Sequence, residues 1–152
     1  MVYVEAPNTV MSDKKSIFLA GGISGCPDWQ KELIEKIKDL DVILYNPRRK
    51  NFPIKDPSAT QEQVKWEFDS FRKSSMISFW FCKETMCPIV LYELGAWSMT
   101  PIPIVIGIEP GYERKQDVEI QTKLVRPDIK VVNSLEALSN EIALLNNEIQ
   151  MI

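Results

Sequence analysis

The chain has 152 residues, of which 45% are hydrophobic and 26% charged, and its formal net charge is −3. These values predict one globular domain, and they argue against a wholly disordered chain or a basic surface for duplex nucleic acid. Histidine is absent, which excludes Ser-His-Asp and Cys-His catalysis and leaves Asp, Glu, Tyr, Lys or Cys for acid–base or nucleophilic chemistry.

The first fourteen residues and the rest of the chain have different patterns. Residues 1–14 are polar and carry no period, so we expect a tail ahead of a single domain over residues 15–152. An apolar run at residues 16–20 predicts a strand that ends at a Gly-Gly turn. A helix with a periodic apolar stripe follows, and Asp28 is placed to cap it.

The middle of the chain continues this alternation. A second strand is predicted over residues 42–45, and the proline-containing stretch after it reads as a loop up to Ser58. Such a long loop is often functional. Thr60 and Gln63 form a capping-box pattern, which predicts a helix from there to about Lys73.

The last third of the chain completes the set of elements. A strand is predicted over residues 76–82, and Pro88 suits the first position of a helix that reaches about Met99. Residues 110–121 are polar and partly helical in pattern, and Ser134 caps the last helix. The remaining strands are predicted over residues 104–108 and 130–132.

Strands that alternate with helices predict βαβ units, and therefore an α/β domain with a five-stranded parallel sheet and helices on both faces. In open parallel sheets, ligands bind outside the carboxyl ends of the strands. Those ends correspond here to three loops, at residues 21–25, 46–49 and 83–87. We therefore expect the functional site among these loops.

Three cysteines are present, at Cys26, Cys82 and Cys87, and no CxxC pair occurs. The odd count and the absence of such a pair argue against a disulfide framework and against a zinc site. No secretory signal pattern and no apolar stretch of membrane-spanning length is visible. The expectation is a reduced, cytoplasmic protein without a membrane partner or a metal.

Two carboxylates interrupt the hydrophobic pattern. Glu93 is the only charged residue between Pro88 and Thr100, on a helix whose apolar residues lie on all sides. A buried carboxylate must be paired or protonated, so Glu93 is either a reactive group or a satisfied buried side chain. Glu67 lies beside the apolar stripe of its own helix, so it is either a functional carboxylate or a residue at the edge of the stripe that pairs with a lysine.

Other residues in or near the predicted loops allow two interpretations each. Trp29 either stacks on a base or anchors its helix in the core, and Tyr92 either contacts a sugar or packs. Arg48 belongs to a short basic cluster that is either solvated or contacts an anion. Cys87 precedes the Glu93 helix, and a packing or contact role is favoured there over a nucleophile.

The glycine-rich segment Gly21-Gly22-Ile23-Ser24-Gly25 can bring backbone N–H groups close to an anion or a sugar, but it does not match a dinucleotide fingerprint.

Several segments together resemble the nucleoside 2-deoxyribosyltransferase superfamily, in its deoxyribosyltransferase-like branch. The segments that carry the resemblance are Ile17-Phe18-Leu19-Ala20-Gly21-Gly22-Ile23-Ser24, Tyr45-Asn46-Pro47-Arg48-Arg49, Trp66-Glu67-Phe68 and Tyr92-Glu93-Leu94-Gly95-Ala96-Trp97. The resemblance implies a flavodoxin-like three-layer domain, no metal or cofactor, and a homo-oligomer with shared sites. It also implies that Glu93 attacks the anomeric carbon of the sugar.

The resemblance assigns further roles by position. Ungapped counting places Glu67 where the family has an aspartate that helps to protonate the leaving base; a shift of two residues would put Asp69 there instead. Cys87 stands where the family has an Asp or Ser that contacts the 5′ end of the sugar, which is a departure from the pattern. Gly21, Gly22, Ser24 and Asn46 would position the sugar and base.

The implied activity is cleavage or transfer of the N-glycosidic bond of a nucleoside or nucleotide through a covalent intermediate on Glu93, as in retaining glycosidases. Three alternatives stay open. They are a nucleoside 5′-monophosphate N-glycoside hydrolase, a glycohydrolase of the nicotinamide dinucleotide type, and a nucleotide-binding module without turnover. Each of these implies a small-molecule nucleoside or nucleotide as the partner.

Overall fold

A fully parallel sheet of six strands organises residues 1–149, which are the residues that the computed structural model describes. The strands are β1 (Val2–Glu5), β2 (Ser16–Gly21), β3 (Ile43–Asn46), β4 (Met76–Phe81), β5 (Ile104–Ile108) and β6 (Lys130–Val132). The helices are α1 (Trp29–Lys36), α2 (Pro57–Lys73), α3 (Pro88–Trp97), α4 (Lys115–Val125) and α5 (Leu135–Ile149).

The strand order defines the fold class. It is β1-β3-β2-β4-β5-β6, and every neighbouring pair is parallel. Without β1, this is the 2-1-3-4-5 order of flavodoxin-like sheets. The predicted flavodoxin-like α/β class is therefore confirmed, although the sheet has one strand more than the five that were predicted.

The additional strand corrects the expectation for residues 1–14. That segment was predicted to be a tail outside the domain, but Val2–Glu5 forms the edge strand β1, with Tyr3 opposite Leu44 of β3. Val4 is 5% exposed and belongs to the hydrophobic core. Four residues in a polar setting give too short an alternation to be recognised, because only the partner strand β3 makes this segment a strand.

The helix boundaries differ from prediction mainly at α2. The helix begins at Pro57, and the side chain of Asp56 accepts a hydrogen bond from the Ser58 backbone N–H at 2.9 Å. Asp56 followed by proline is thus the helix start, and the predicted capping box at Thr60 and Gln63 was wrong.

Helices cover both faces of the sheet because successive strand residues point to opposite sides. Phe79 of β4 is stacked with Phe71 of α2, at 6.4 Å between ring centroids. Its neighbour Trp80 lies on the other face, over Gly107 of β5 and beside Leu138 of α5. These two layers enclose the core and leave the carboxyl ends of the central strands open.

One helix is less buried than its sequence predicts. The apolar pattern of α3 predicted burial on all sides, but in a single chain only one face packs inward, through Val90 and Leu94. On the other side, Ile89 is 66% exposed, Tyr92 78% and, just after the helix, Met99 76%. Exposed apolar side chains grouped in this way are uncommon on the surface of a monomeric protein. Separately, within residues 1–149 no helix combines the length and the apolar character needed to cross a membrane.

Candidate active site

A cavity of about 280 Å³ opens at the carboxyl ends of β2 and β4. This position is where the strand order reverses, and it is the usual ligand site of an open parallel sheet. The walls combine small, apolar and acidic groups: Phe18, Ala20, Gly21, Gly22, Ile23, Ser24, Pro47, Glu67, Thr85, Cys87, Pro88, Ile89, Val90 and Glu93. The volume is near the lower limit for small-molecule pockets.

The glycine-rich turn after β2 forms one wall, and two side chains hold it. The carbonyl oxygen of Gly22 accepts a hydrogen bond from Nε1 of Trp29 at 2.9 Å and one from Nη2 of Arg48 at 3.4 Å. Arg48 also donates to the carbonyls of Cys26 and Pro27, at 3.3 and 2.9 Å. A guanidinium with three carbonyl acceptors fixes the loop, because each bond is charge-assisted.

Glu93 enters the cavity from α3. Its side chain is partly buried, and its carboxylate has no hydrogen-bond or ion-pair partner among residues 1–149. Burial, followed by repulsion from Glu67, raises the pKa of Glu93 to about 8. An unpaired carboxyl with such a pKa is protonated in most molecules at neutral pH and remains free to contact a ligand.

Glu67 enters the same cavity from α2 and has partners that Glu93 lacks. Its Oε1 accepts a hydrogen bond from Nε2 of Gln63 at 2.7 Å, and the same amide donates to the carbonyl of Pro47 at 2.9 Å. Burial raises the pKa of Glu67, while the Gln63 hydrogen bond and the positive charge of Arg49 oppose that rise. Gln63 and Arg49 therefore favour the ionised form of Glu67.

The two carboxyl groups are electrostatically coupled. Each has a pKa raised by burial, and ionisation of Glu67 makes ionisation of Glu93 harder. Coupled groups of this kind hold one proton between them over a range of pH. Since Gln63 and Arg49 stabilise the charge on Glu67, the shared proton resides on Glu93 in the ligand-free chain.

The structure brings six of the predicted site residues to this cavity and places five elsewhere. Those in the cavity are Gly21, Gly22, Ser24, Glu67, Cys87 and Glu93. Outside it, Asp69 forms an ion pair with Lys65 at 2.6 Å and Tyr92 is 78% exposed. Trp29 is 3% exposed, as a core anchor would be.

Asn46 and Arg48 line a neighbouring cavity of about 700 Å³. Asn46 is buried; its amide donates to the hydroxyl of Tyr3 at 3.0 Å, and its carbonyl oxygen accepts from the Arg48 backbone N–H at 3.0 Å. Ile23 lines both cavities, so the glycine-rich turn separates them.

The expectation of no disulfide was wrong. Cys26 of the β2–α1 loop and Cys82 at the end of β4 are disulfide-bonded, with their Cα atoms 6.3 Å apart. The free thiol of buried Cys87 lies 3.8 Å from the sulfur of Cys82. Sequence spacing could not reveal this arrangement, because parallel strands bring together loops that are 56 residues apart.

Three contributors to the site were missed at the sequence level. Gln63 is four residues before Glu67, and this spacing on a helix was a usable signal for contact. Arg49 has a side chain only 6% exposed, paired with Glu62 at 2.8 Å. Thr85 lines the cavity and its hydroxyl accepts from the Cys87 backbone N–H at 3.3 Å. Arg49 lies in the basic segment after β3 and Thr85 in the predicted loop at residues 83–87, but no local pattern assigned a role to either side chain.

The fold and the site define a flavodoxin-like α/β protein with two coupled carboxyl groups at the switch point of its sheet. A sequence model of the family described as "Nucleoside 2-deoxyribosyltransferase like" matches residues 14–112, so the chain belongs to this family.

A solved structure has the same fold. It is described as the crystal structure of a conserved protein from Enterococcus faecalis V583, with a TM-score of 0.65 and 22% identity over 86% of this chain and 98% of that one. Among curated proteins, the chain has no match.

Proposed function

We propose that this chain cleaves or transfers the N-glycosidic bond of a nucleoside or nucleotide, with Glu93 as the nucleophile. The observation that carries the proposal is the pair of coupled carboxyl groups, Glu67 and Glu93, in one cavity at the carboxyl ends of β2 and β4. Family membership supports the same kind of activity. Two carboxyl groups that share the work are also how retaining glycosidases cleave an acetal bond.

The proposed reaction has two steps. In the first, Glu67 in its protonated form donates to a ring nitrogen of the base, and the bond between base and sugar breaks as the Glu93 carboxylate attacks the anomeric carbon. This leaves a sugar ester on Glu93 and a free base. In the second, a second base or a water molecule gives its proton to the Glu67 carboxylate and attacks the same carbon, which breaks the ester bond and releases the Glu93 carboxylate.

The ligand-free protonation state is the reverse of the reactive one. The proton resides on Glu93, whereas the reaction needs it on Glu67. Binding of the base beside Glu67 would shift the proton, because a ring nitrogen that accepts a hydrogen bond stabilises the protonated form of Glu67. The charge then falls on Glu93, which the electron-poor anomeric carbon stabilises in the transition state.

The glycine-rich turn supports a positioning role. Gly21, Gly22 and Ser24 line the same cavity as the two carboxyl groups. Arg48 and Trp29 hold their loop through hydrogen bonds to the carbonyl of Gly22. Trp29 acts through the loop in this proposal rather than by stacking on the base, since its ring is buried and its Nε1 is bonded to Gly22.

We further propose that the active form is a homo-oligomer. The exposed apolar side chains of α3 and the residues after it, Ile89, Tyr92 and Met99, are next to the cavity, because Ile89 also lines it. A second copy on this surface would remove apolar area from water and narrow the cavity entrance.

The test is chromatography of free base released from nucleosides, 2′-deoxynucleosides and their 5′-monophosphates, with and without a second free base. Glu93→Gln removes the nucleophile with little change in shape, and Glu84→Gln is the matched control because Glu84 is exposed. We expect release or exchange by the wild type and Glu84→Gln, and a loss of at least about 1,000-fold in Glu93→Gln.

The pattern of products separates the alternatives. Exchange that requires a second base identifies a transferase, and release without one identifies a hydrolase. Equal turnover in Glu93→Gln would overturn Glu93 as nucleophile. Binding of an intact nucleotide with no turnover across the panel would instead identify a binding module.

A further inference from the structure

Three cysteine sulfurs gather directly behind the glycine-rich wall of the cavity. They come from separate parts of the fold: Cys26 from the β2–α1 loop, Cys82 from the end of β4 and Cys87 from the first residue before α3. Their sulfur atoms all lie within 4.8 Å of one another. Cys82 and Cys87 are buried and Cys26 is partly buried, so the cluster is shielded from bulk water.

The backbone around the cluster is shaped to accommodate the sulfurs. A Cβ atom on Gly22 would lie 2.9 Å from the sulfurs of both Cys82 and Cys87 and would collide with that of Cys26, so only glycine fits there. Cys87 itself has a φ of 48°, a conformation that non-glycine residues rarely adopt. The absence of a Cβ on Gly22 leaves the space in which the three sulfurs meet.

The spacing suits tetrahedral thiolate coordination. With a zinc–sulfur distance of about 2.3 Å, two thiolates on a tetrahedral ion are about 3.8 Å apart. The sulfurs of Cys82 and Cys87 are separated by 3.8 Å. Cys26 is disulfide-bonded to Cys82 here, and reduction of that bond releases the third thiol of the set.

A fourth oxygen ligand is at hand. The hydroxyl of Thr85 lies 3.2 Å from the sulfur of Cys87 and 3.7 Å from that of Cys26. Three thiolates and one oxygen, from the hydroxyl or from a water, complete a four-coordinate tetrahedral set. Soft sulfur donors select Zn²⁺ and similar ions over Mg²⁺ or Ca²⁺.

We propose that, in its reduced form, the chain binds one thiophilic metal ion of the Zn²⁺ type through Cys26, Cys82 and Cys87. A dithiol reductant supplies two electrons and two protons to the Cys26–Cys82 bond and becomes a disulfide itself. The three thiols then release their protons as their sulfurs bind the ion. Because Gly22 and Cys87 line the cavity, the ion forms part of its rear wall.

The experiment uses the full chain, reduced with a dithiol, freed of reductant without oxygen and titrated with Cd²⁺ or Zn²⁺. Thiolate-to-Cd²⁺ charge-transfer absorption measures binding, and competition with a chromophoric chelator measures affinity for Zn²⁺. We expect one ion per reduced chain and none per chain with the disulfide intact. Cys26→Ser and Cys87→Ser each should weaken binding by more than about 100-fold, since each removes a direct ligand.

Near-UV circular dichroism of the tryptophans establishes that each serine variant is folded before its titration is interpreted. Equal affinity in wild type and Cys87→Ser would overturn the three-thiolate site, because Cys26 and Cys82 alone would then suffice. Absence of stoichiometric binding by the folded, fully reduced wild type would overturn it as well. So would equal binding by the oxidised chain.

Discussion

Glu67 and Glu93 extend from different helices into one cavity, and the charge of Glu67 is the second cause, after burial, of the raised pKa of Glu93. Glu67 has Gln63 as a hydrogen-bond donor and Arg49 as a nearby positive charge, whereas Glu93 has no such partner among residues 1–149. The two carboxyl groups are thus chemically different although both are glutamates. Most of the predictions below depend on that difference.

The rate of glycosidic cleavage should fall as pH rises through about 8. The reaction needs one proton on the pair, and the pKa of about 8 for Glu93 in the free chain is where that last proton is lost. Because kcat/KM reports ionisations of the free protein, we expect kcat/KM to be near its maximum just below pH 8 and to fall above it. The measurement is base release at low substrate concentration over the pH range in which the chain stays folded. A rate that keeps rising through pH 8, or that does not change there, would contradict the shared proton.

The stability of the fold should fall as pH rises, through the same group. The folded pKa of Glu93 is above its unfolded value, so between pH 4.5 and 8 the folded chain keeps a proton that the unfolded chain has lost. The stabilisation is complete below that window and lost above it. Glu93→Gln should therefore be more stable than wild type at pH 8, because it removes a partly buried negative charge. The expected difference is roughly 1–3 kcal/mol, a range lowered to allow for the partial exposure of the side chain to water. Urea unfolding at pH 5 and pH 8 measures this difference, with Glu84→Gln as control. Glu84→Gln should show the same pH dependence as wild type. If Glu93→Gln shows that dependence too, or if wild type is equally stable at both pH values, the raised pKa of Glu93 is contradicted.

Gln63 should act as a positioning residue for Glu67. Gln63→Ala removes the donor at 2.7 Å and the link to Pro47, so the pKa of Glu67 should rise and its carboxyl should lose its fixed orientation. Loss of the fixed orientation predicts a fall in kcat of about 10-fold or more. The raised pKa of Glu67 predicts an altered pH profile. Gln61→Ala is the control, because Gln61 lies on the exposed side of the same helix. An unchanged pH profile with a simple loss of stability would indicate a structural role only.

Arg48 should stabilise the glycine-rich loop. Arg48→Ala removes charge-assisted bonds to the carbonyls of Cys26 and Pro27 and leaves the fully buried Gln30 without its donor at 2.9 Å. We expect a loss of about 2 kcal/mol in the free energy of unfolding. Hydrogen exchange should increase most over residues 22–27. Lys50→Ala, at an exposed neighbouring position, should leave both measurements unchanged. Unaltered hydrogen exchange over residues 22–27 in Arg48→Ala would contradict the stabilising role of Arg48 in this loop.

The apolar surface near α3 should mediate self-association. A monomer has a mass of 17.5 kDa, and we expect sedimentation velocity to give a larger, concentration-dependent species for the wild type. Met99→Lys introduces a charge at a side chain that is 76% exposed, and it should weaken association by at least about 10-fold. Leu144→Lys on α5, at an apolar side chain that is 57% exposed, serves as control. A wild type that stays monomeric at all concentrations would remove the proposed oligomer.

The sequence by itself determined the class of fold and the identity of the two carboxyl groups. Five strands and the helices between them follow from local apolar periods, and each such period is set by side chains close together in the chain. Glu93 was recognisable because it is the lone charged residue of an apolar segment, and Glu67 because it lies beside the apolar stripe of its helix. Resemblance to the family then assigned them different roles.

Only the tertiary structure decided which residues meet. The strand β1 exists because β3 offers it a partner, and the Cys26–Cys82 bond exists because parallel strands bring distant loops to one edge of the sheet. The burial of Trp29 and the bonds of Arg48 to the loop carbonyls likewise depend on packing between elements. The raised pKa of Glu93 requires both its burial and the nearness of Glu67. These are contacts between segments far apart in the chain, and no local period records them.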